Sequence, residues 1–573
     1  MDPALLDSAK AAAGGGAQEK SLLREYAERE LNAILWFLLI AITALLLRKV
    51  VKLFVLWAKG AKIPGPPCPS FYGHSSLVTD SKFPRNLPDL LQDSHEKYGS
   101  IVKLWLGPAQ LLVSVKDPTL IKEMLLKAGD KVPMTERAFR LAFGRLSLFA
   151  SSFDKVHERR ESLAMELSGK LIEGTNAIPM KVLDCVMERI QDMMTVGSLD
   201  CQMISQHMAF AILGTTLFGD AFLAWPKATV YEELLMNIAK DACFWASYRI
   251  IPFWKRGFWR YQHLCIKLKC LTQDIIQQCR QNCKLFCQMD KIAHNETANF
   301  EMEGEHDVPS SGCATLGNIL LRGLDHLLDA KEEPCGNIMG VMFHGCLTSA
   351  ILIGNILARL ATHPEIQDKI YEEIIMVRKG SQKQDQQGVN KMPFLLATVY
   401  ESARLLPAGP LLQRCSLKYD LNLKGGVTIP SGTLLVVPIQ LVQTDDSSWG
   451  KDAGQFNPYR FLLNAGKISD LLHLEALTGA PEELADPGQS SFVLNDPNET
   501  AAFLPFGSGV RACVGQKFAI FRIGTLFAAL LEQYEVRLDE GSNNDQKSIM
   551  NDPVLPLPPT PKIIFARRNG QTK

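Results

Sequence analysis

Ten residues near the C-terminus, Phe506-Gly507-Ser508-Gly509-Val510-Arg511-Ala512-Cys513-Val514-Gly515, combine a thiol, a guanidinium and glycines at fixed offsets. A cysteine holds a metal only as thiolate, so its surroundings must stabilise negative charge. Ile523, Phe527, Leu530, Leu531 and Tyr534 recur at helical spacing just downstream, which predicts a helix from about Gln516 to Tyr534. A sulfur at that helix's N-terminus meets backbone N–H groups lacking intrahelical acceptors and the positive end of the dipole. Gly509 and Gly515 let the backbone turn sharply or pass close to a flat ring. Arg511 is a permanent cation whose planar fork of donors suits a carboxylate. A lone cysteine in a Gly-rich loop is ordinarily a small core residue. The pattern Phe-x-x-Gly-x-Arg-x-Cys-x-Gly demands far more than that.

Two further groups carry weaker signals. Glu401-Ser402-Ala403-Arg404 puts an acid and a base three apart on one helix face, and Pro407 then stops the helix. Downstream comes Phe456-Asn457-Pro458-Tyr459-Arg460-Phe461. The apolar stretch from Ile338 to Ala358 contains His344-Gly345-Cys346-Leu347-Thr348-Ser349. Alone, the first is a common surface ion pair, and Thr348 is a core threonine bonded to a preceding carbonyl.

The loop resembles the haem-thiolate loop of the cytochrome P-450 monooxygenases. Gly345/Thr348, His363-Pro364-Glu365, Glu401/Arg404, Arg460 and Cys513 follow one another in that family's order. The resemblance runs from the proline connector to the C-terminal strands. It implies that Cys513 ligates the iron of haem b, with Phe506, Gly509, Arg511 and Gly515 forming the surrounding loop. Arg414 and Arg159, the latter in Lys155-Val156-His157-Glu158-Arg159, would meet propionates. Glu401, Arg404 and Arg460 would form a buried structural triad behind the loop. Thr348, with Ser349, would stand over the iron and help deliver protons. The chain departs from the family pattern at Leu347 (usually an acid), His344 (usually small), Lys155 (usually Trp) and Tyr459 (often Glu). Leu347 puts the usual proton route in doubt.

By the same resemblance, the chain is a monooxygenase that receives electrons from NADPH through a separate reductase. It places one oxygen atom in a lipophilic small molecule. Pro410, Leu411 and Leu412 are candidate substrate contacts, all apolar. The departures keep two alternatives open: an isomerase or dehydratase of an oxygenated lipid needing no external electrons, and a haem or lipid binding protein without turnover.

These residues need a scaffold, and 573 residues with 47% hydrophobic content are ample for a large core. The formal net charge is zero, so nothing points to nucleic acid as a partner. The 14 cysteines show no regular pairing, which fits a reducing compartment. Cys279, Cys283 and Cys287 share a helix face and read as a structural stripe. Ile101 to Leu106 and Leu111 to Val115 flank Gly107-Pro108 as a hairpin. Helical patterns fill 118–288 and 316–406, a polar loop is expected from Met289 to Ser311, and strands near 427–438 and 562–565. The expected fold is mainly α with small β-sheets, preceded by one transmembrane helix.

Leu31 to Leu47 holds no charge and is close to the shortest length that spans a bilayer. Arg48, Lys49, Lys52, Lys59 and Lys62 follow, whereas residues 1–30 mix six acids with four bases. The positive-inside rule then places the body in the cytoplasm, at the endoplasmic reticulum. The expected division is a flexible tail at 1–30, an anchor at 31–47, a basic and proline-rich linker at 48–73, and a catalytic domain at 74–573. Asn295-Glu296-Thr297 and Asn498-Glu499-Thr500 are sequons that a cytoplasmic domain leaves unglycosylated. The aromatic and basic residues of 244–260 fit an interfacial segment or ordinary helix packing equally. The extra sequence between Phe461 and Phe506 is expected as a surface insertion.

Overall fold

A computed structural model describes residues 3–70, 73–74, 87–130, 148, 153–168, 182–188, 199–246, 256–297, 333–380, 388–409, 411–416, 418–464, 492–494, 499–539 and 561–568. The chain begins with helix α1 (Pro3–Ala61), which runs unbroken through the expected tail and anchor and into the expected linker. Its apolar stretch from Leu31 onward is exposed, so Arg29–Ala61 is a candidate membrane span. Arg48 to Ala61 are therefore helical, and the extended connector is confined to 64–69.

The lower end of α1 is fastened to the body. Helix α2 (Leu87–Tyr98) precedes the hairpin of β1 (Ile101–Trp105) and β2 (Leu111–Val115), whose antiparallel register pairs Ile101 with Val115. Trp57 stacks on Trp105 with centroids 4.0 Å apart and donates from Nε1 to the Pro108 carbonyl at 2.7 Å. Lys103 Nζ donates to the carbonyls at the end of α1, Gly60 at 3.1 Å and Ala61 at 3.0 Å. Lysine satisfies the orphan carbonyls a helix C-terminus leaves behind.

Helix α3 (Pro118–Lys127) starts where Asp117 Oδ1 accepts from the Thr119 and Leu120 amides, both at 2.9 Å, with proline at the first helical position. Helices α4 (Phe153–Ser168), α5 (Cys201–Phe218), α6 (Ala228–Ala246) and α7 (Arg256–Thr297) follow, with the short β3 (Leu199–Asp200) before α5. The polar loop expected from Met289 is helical as far as Thr297, because α7 continues through it. Residues 298–311 lie outside the described residues.

The centre of the molecule is α8 (Glu333–Thr362), whose apolar run is mostly buried and packs along α5. It is a core helix, as expected of a long apolar helix interrupted by Gly and His. Helices α9 (Pro364–Gly380) and α10 (Pro393–Leu405) lie beside it. α10 has no side-chain cap of its own; the Glu373 carboxylate of α9 accepts from the Phe394 and Leu395 amides at 2.8 and 2.9 Å.

Strands β4 (Leu411–Cys415) and β7 (Leu434–Pro438) extend the first hairpin into a sheet of order β1-β2-β7-β4, with β2 and β7 parallel. The pair β5 (Leu421–Asn422) and β6 (Thr428–Ile429) lies nearby in sequence. The pair β8 (Leu462–Asn464) and β9 (Phe492–Leu494) lies within the insertion, whose residues 465–491 and 495–498 lie outside those described. Helix α11 (Gln516–Gln533) matches the expected span within a residue. It leads into β10 (Tyr534–Leu538), which pairs with β11 (Lys562–Arg567).

Candidate haem-thiolate site

The Cys513 loop is held by its own backbone. The Cys513 amide donates to the Phe506 carbonyl at 2.8 Å, and the Ala512 amide to Gly509 at 3.0 Å. Gly509 has φ +71°, and a Cβ there would lie 2.3 Å from the Leu125 carbonyl oxygen. Only glycine fits that position, for a steric reason as well as a conformational one. Gly515, by contrast, caps α11 at φ −99° with open space where a Cβ would go.

Cys513 opens into a cavity of about 400 Å³. Thr348, Ser349, Arg414, Phe506 and Arg511 line it too, so these residues, far apart in the sequence, converge on one space. Its walls include Leu352, Ala403, Leu406, Leu411, Leu412 and Ile439. Leu411 and Leu412 stand where apolar substrate contacts were expected; Pro410 lies outside the described residues.

The thiol faces this cavity yet has protein packed closely behind it. Burial pushes its pKa up, while the Gly515 N–H and the Arg160 charge pull it down and are outweighed. The helix end therefore does not make a thiolate unaided; a bound metal deprotonates such a thiol outright.

Arg160, not singled out in the sequence, stands at the loop: its Nη2 donates to the Ala512 carbonyl at 2.9 Å. The side chain of its neighbour Arg159 lies outside the described residues. The Lys155-to-Arg159 match hid Arg160, but the same α4 face would have found it by counting from buried Val156 to its i+4 position. Arg511 Nε donates to the Gly129 carbonyl at 2.7 Å. The pKa of Arg414 is pushed down to about 10, by burial first and then by the Arg511 and Arg160 charges. Three guanidiniums thus crowd one region against their own repulsion. A ligand carrying two carboxylates would relieve them. Together with a thiol for iron and apolar walls for a ring, they fit an iron porphyrin.

Behind the cavity, Glu401, Arg404 and Arg460 meet. Arg404 Nε and Nη2 donate to the two Glu401 oxygens at 2.7 and 2.8 Å, in bidentate fashion. Arg460 Nε reaches Glu401 Oε1 at 3.2 Å and its Nη2 reaches Asp452 Oδ2 at 2.9 Å. Glu401 and Arg404 are fully buried. The second arginine and the Asn457 amide, at 2.8 Å, satisfy the remaining carboxylate capacity.

On α8, Thr348 Oγ1 donates to the His344 carbonyl at 2.8 Å. Leu347 is buried in the main core. Cys279 is buried and donates from Sγ to the Phe218 carbonyl at 3.4 Å. No cluster of three metal-ligating side chains occurs among the described residues.

The family model "Cytochrome P450" matches residues 63–565. The chain belongs to the cytochrome P450 family. It is a divergent member. It is 24% identical to Cytokinin hydroxylase of Arabidopsis thaliana, over 82% of this chain and 80% of that protein. It is 25% identical to 11-oxo-beta-amyrin 30-oxidase of Glycyrrhiza uralensis, over 81% and 80%. Cytochrome P450 714B2 of Oryza sativa subsp. japonica is 30% identical, but the match spans only 33% of that protein. Membership of the P450 family makes the chain an oxidoreductase of the class that incorporates molecular oxygen, with haem iron as its metal. The mainly α fold with small sheets is that of the family.

Proposed function

We propose that this protein is a membrane-anchored monooxygenase that inserts one atom of O2 into a lipophilic small molecule. The supporting observation is the single cavity lined by Cys513, Arg414, Arg511 and Thr348 and walled by aliphatic side chains. The relatives named for hydroxylation of cytokinin and for oxidation of 11-oxo-beta-amyrin support the same reaction class. α1 holds the body at the endoplasmic reticulum membrane, with the catalytic domain in the cytoplasm. An NADPH-dependent reductase is its electron donor.

Cys513 is the iron ligand, and Arg160, Arg414 and Arg511 hold the propionates. A thiolate-ligated haem supplies electron density that favours O–O cleavage. Phe506 and Gly509 shape the loop, and Gly515 directs its N–H at the sulfur. The aliphatic walls exclude water and take an apolar substrate by burial alone. Thr348 donates its proton to the His344 carbonyl, so its oxygen lone pairs remain able to accept a hydrogen bond in the cavity. Ser349 lies beside it on the same lining. Glu401, Arg404 and Arg460 act structurally.

Leu347, buried where the family pattern has an acid, favours a second reading as an isomerase or dehydratase of an oxygenated lipid. Purified full-length protein, reduced and exposed to carbon monoxide, should give a thiolate-type spectrum that Cys513→Ala loses. Incubation with reductase should then consume NADPH in step with an oxygenated product. Product formed without NADPH would overturn the monooxygenase reading in favour of the second.

A further inference from the structure

Thr348 and Ser349 stand side by side on the α8 wall of the Cys513 cavity, but their hydroxyls differ in what they have left to offer. Thr348 Oγ1 spends its proton on the His344 carbonyl at 2.8 Å, the ordinary bond of a helical threonine to the preceding turn. It can only accept a further bond. Ser349 makes no such bond. The residue is 8% exposed, it lines the cavity, and its Oγ has no hydrogen-bond partner among the described residues. Its proton and its lone pairs are both available to an occupant. Leu213 of α5 packs so closely on Gly345 that a Cβ there would come within 2.9 Å of it, which holds this segment of α8 in place. Leu352, Leu406, Leu411, Leu412 and Ile439 add walls with no hydrogen-bonding side chain.

We propose that the substrate is a lipophilic alcohol, whose hydroxyl donates to Thr348 Oγ1 and accepts from Ser349 Oγ while its carbon frame lies against the aliphatic walls. A hydroxyl both gives and takes a hydrogen bond, so it matches a spent hydroxyl beside an unspent one. A ketone or an ether uses Ser349 alone, and a hydrocarbon uses neither. An occupant without oxygen fills the cavity and leaves the buried Ser349 hydroxyl unpaired. A site built to bond a substrate hydroxyl rejects the analogue lacking it for that reason. The assignment names the substrate class of the monooxygenase proposed above and rests on that reading, but binding tests it without turnover.

The probes are cyclooctanol, cyclooctanone and cyclooctane, one carbon frame carrying a hydroxyl, a carbonyl and no oxygen. Calorimetry gives their affinities for the full-length haem-loaded protein, and each probe is compared only with itself between wild type and variant, so differences in solubility cancel. Ser349→Ala should weaken the alcohol and the ketone by about three- to tenfold and leave the hydrocarbon unchanged. Thr348→Val should weaken the alcohol by a similar factor and spare the other two, because Thr348 only accepts. No saturable binding of cyclooctanol to the wild type, unchanged alcohol affinity in Ser349→Ala, or an equal loss for all three probes would each overturn the proposal. So would a Thr348→Val loss as large for the ketone as for the alcohol. The reduced protein exposed to carbon monoxide reads the haem site separately. Any of those results with a thiolate-type spectrum removes the alcohol and leaves the monooxygenase reading standing. A wild type without that spectrum removes both.

Discussion

Arg404 and Gln443 hold each other twice: Arg404 Nη1 donates to the Gln443 carbonyl, and Gln443 Nε2 donates back to the Arg404 carbonyl at 2.7 Å. The same amide accepts from the Leu504 N–H through Oε1 at 3.1 Å. Gln443 thereby ties α10, which carries Glu401 and Arg404, to the chain leading into the Cys513 loop. Gln443→Ala leaves the Leu504 N–H and the Arg404 carbonyl buried without these partners, at about 1–3 kcal/mol each. Denaturant unfolding should show a loss of that order, and haem should dissociate faster.

Gly509 and Gly515 should respond oppositely to alanine. Gly509→Ala puts a Cβ against the Leu125 carbonyl in a positive-φ conformation and should cost more than about 2 kcal/mol. Gly515→Ala meets no protein atom and should change the stability of the haem-free protein by less than about 1 kcal/mol. Chemical denaturation of the two haem-free variants checks both.

Arg160 binds the loop directly, so Arg160→Gln should speed haem loss about tenfold or more through the loss of a charge-assisted bond and one cation near the propionates. Transfer of haem to an excess of an apo-globin measures the rate.

Glu373 predicts a pH dependence. Burial raises its pKa to about 7, although two α10 amides pull it down. A carboxyl whose pKa is raised by folding favours the protonated folded state. Its contribution to stability is therefore greatest in acid, falls as pH rises from about 4.5 to about 7, and is flat above that. The swing is at most about 3 kcal/mol. Glu373→Gln should remove this slope from stability measured against pH.

Much of the site could be read from residue order alone. The Cys513 loop, the Glu401/Arg404 pair and the α11 pattern are local: their spacing along the chain sets which side chains share a turn or a face. The hairpin around Gly107-Pro108 was legible for the same reason. Arg160 was not, because its role depends on how α4 meets Ala512, 352 positions away in the chain. Nor was the fastening of α1, since the Trp57–Trp105 stack joins the apolar N-terminal helix to a strand that no periodicity links to it.

The sequence by itself determined the family, the thiol, the apolar N-terminal segment and the helix that follows the loop, because each is written in residue types at short spacing. Tertiary structure decided which cations gather near the thiol, that Glu373 caps a helix it does not belong to, and that α5 presses on Gly345. Those outcomes depend on packing between distant segments. Burial there sets the electrostatics: the thiol sits above its ordinary pKa despite its place before a helix, and no spacing rule carries that effect.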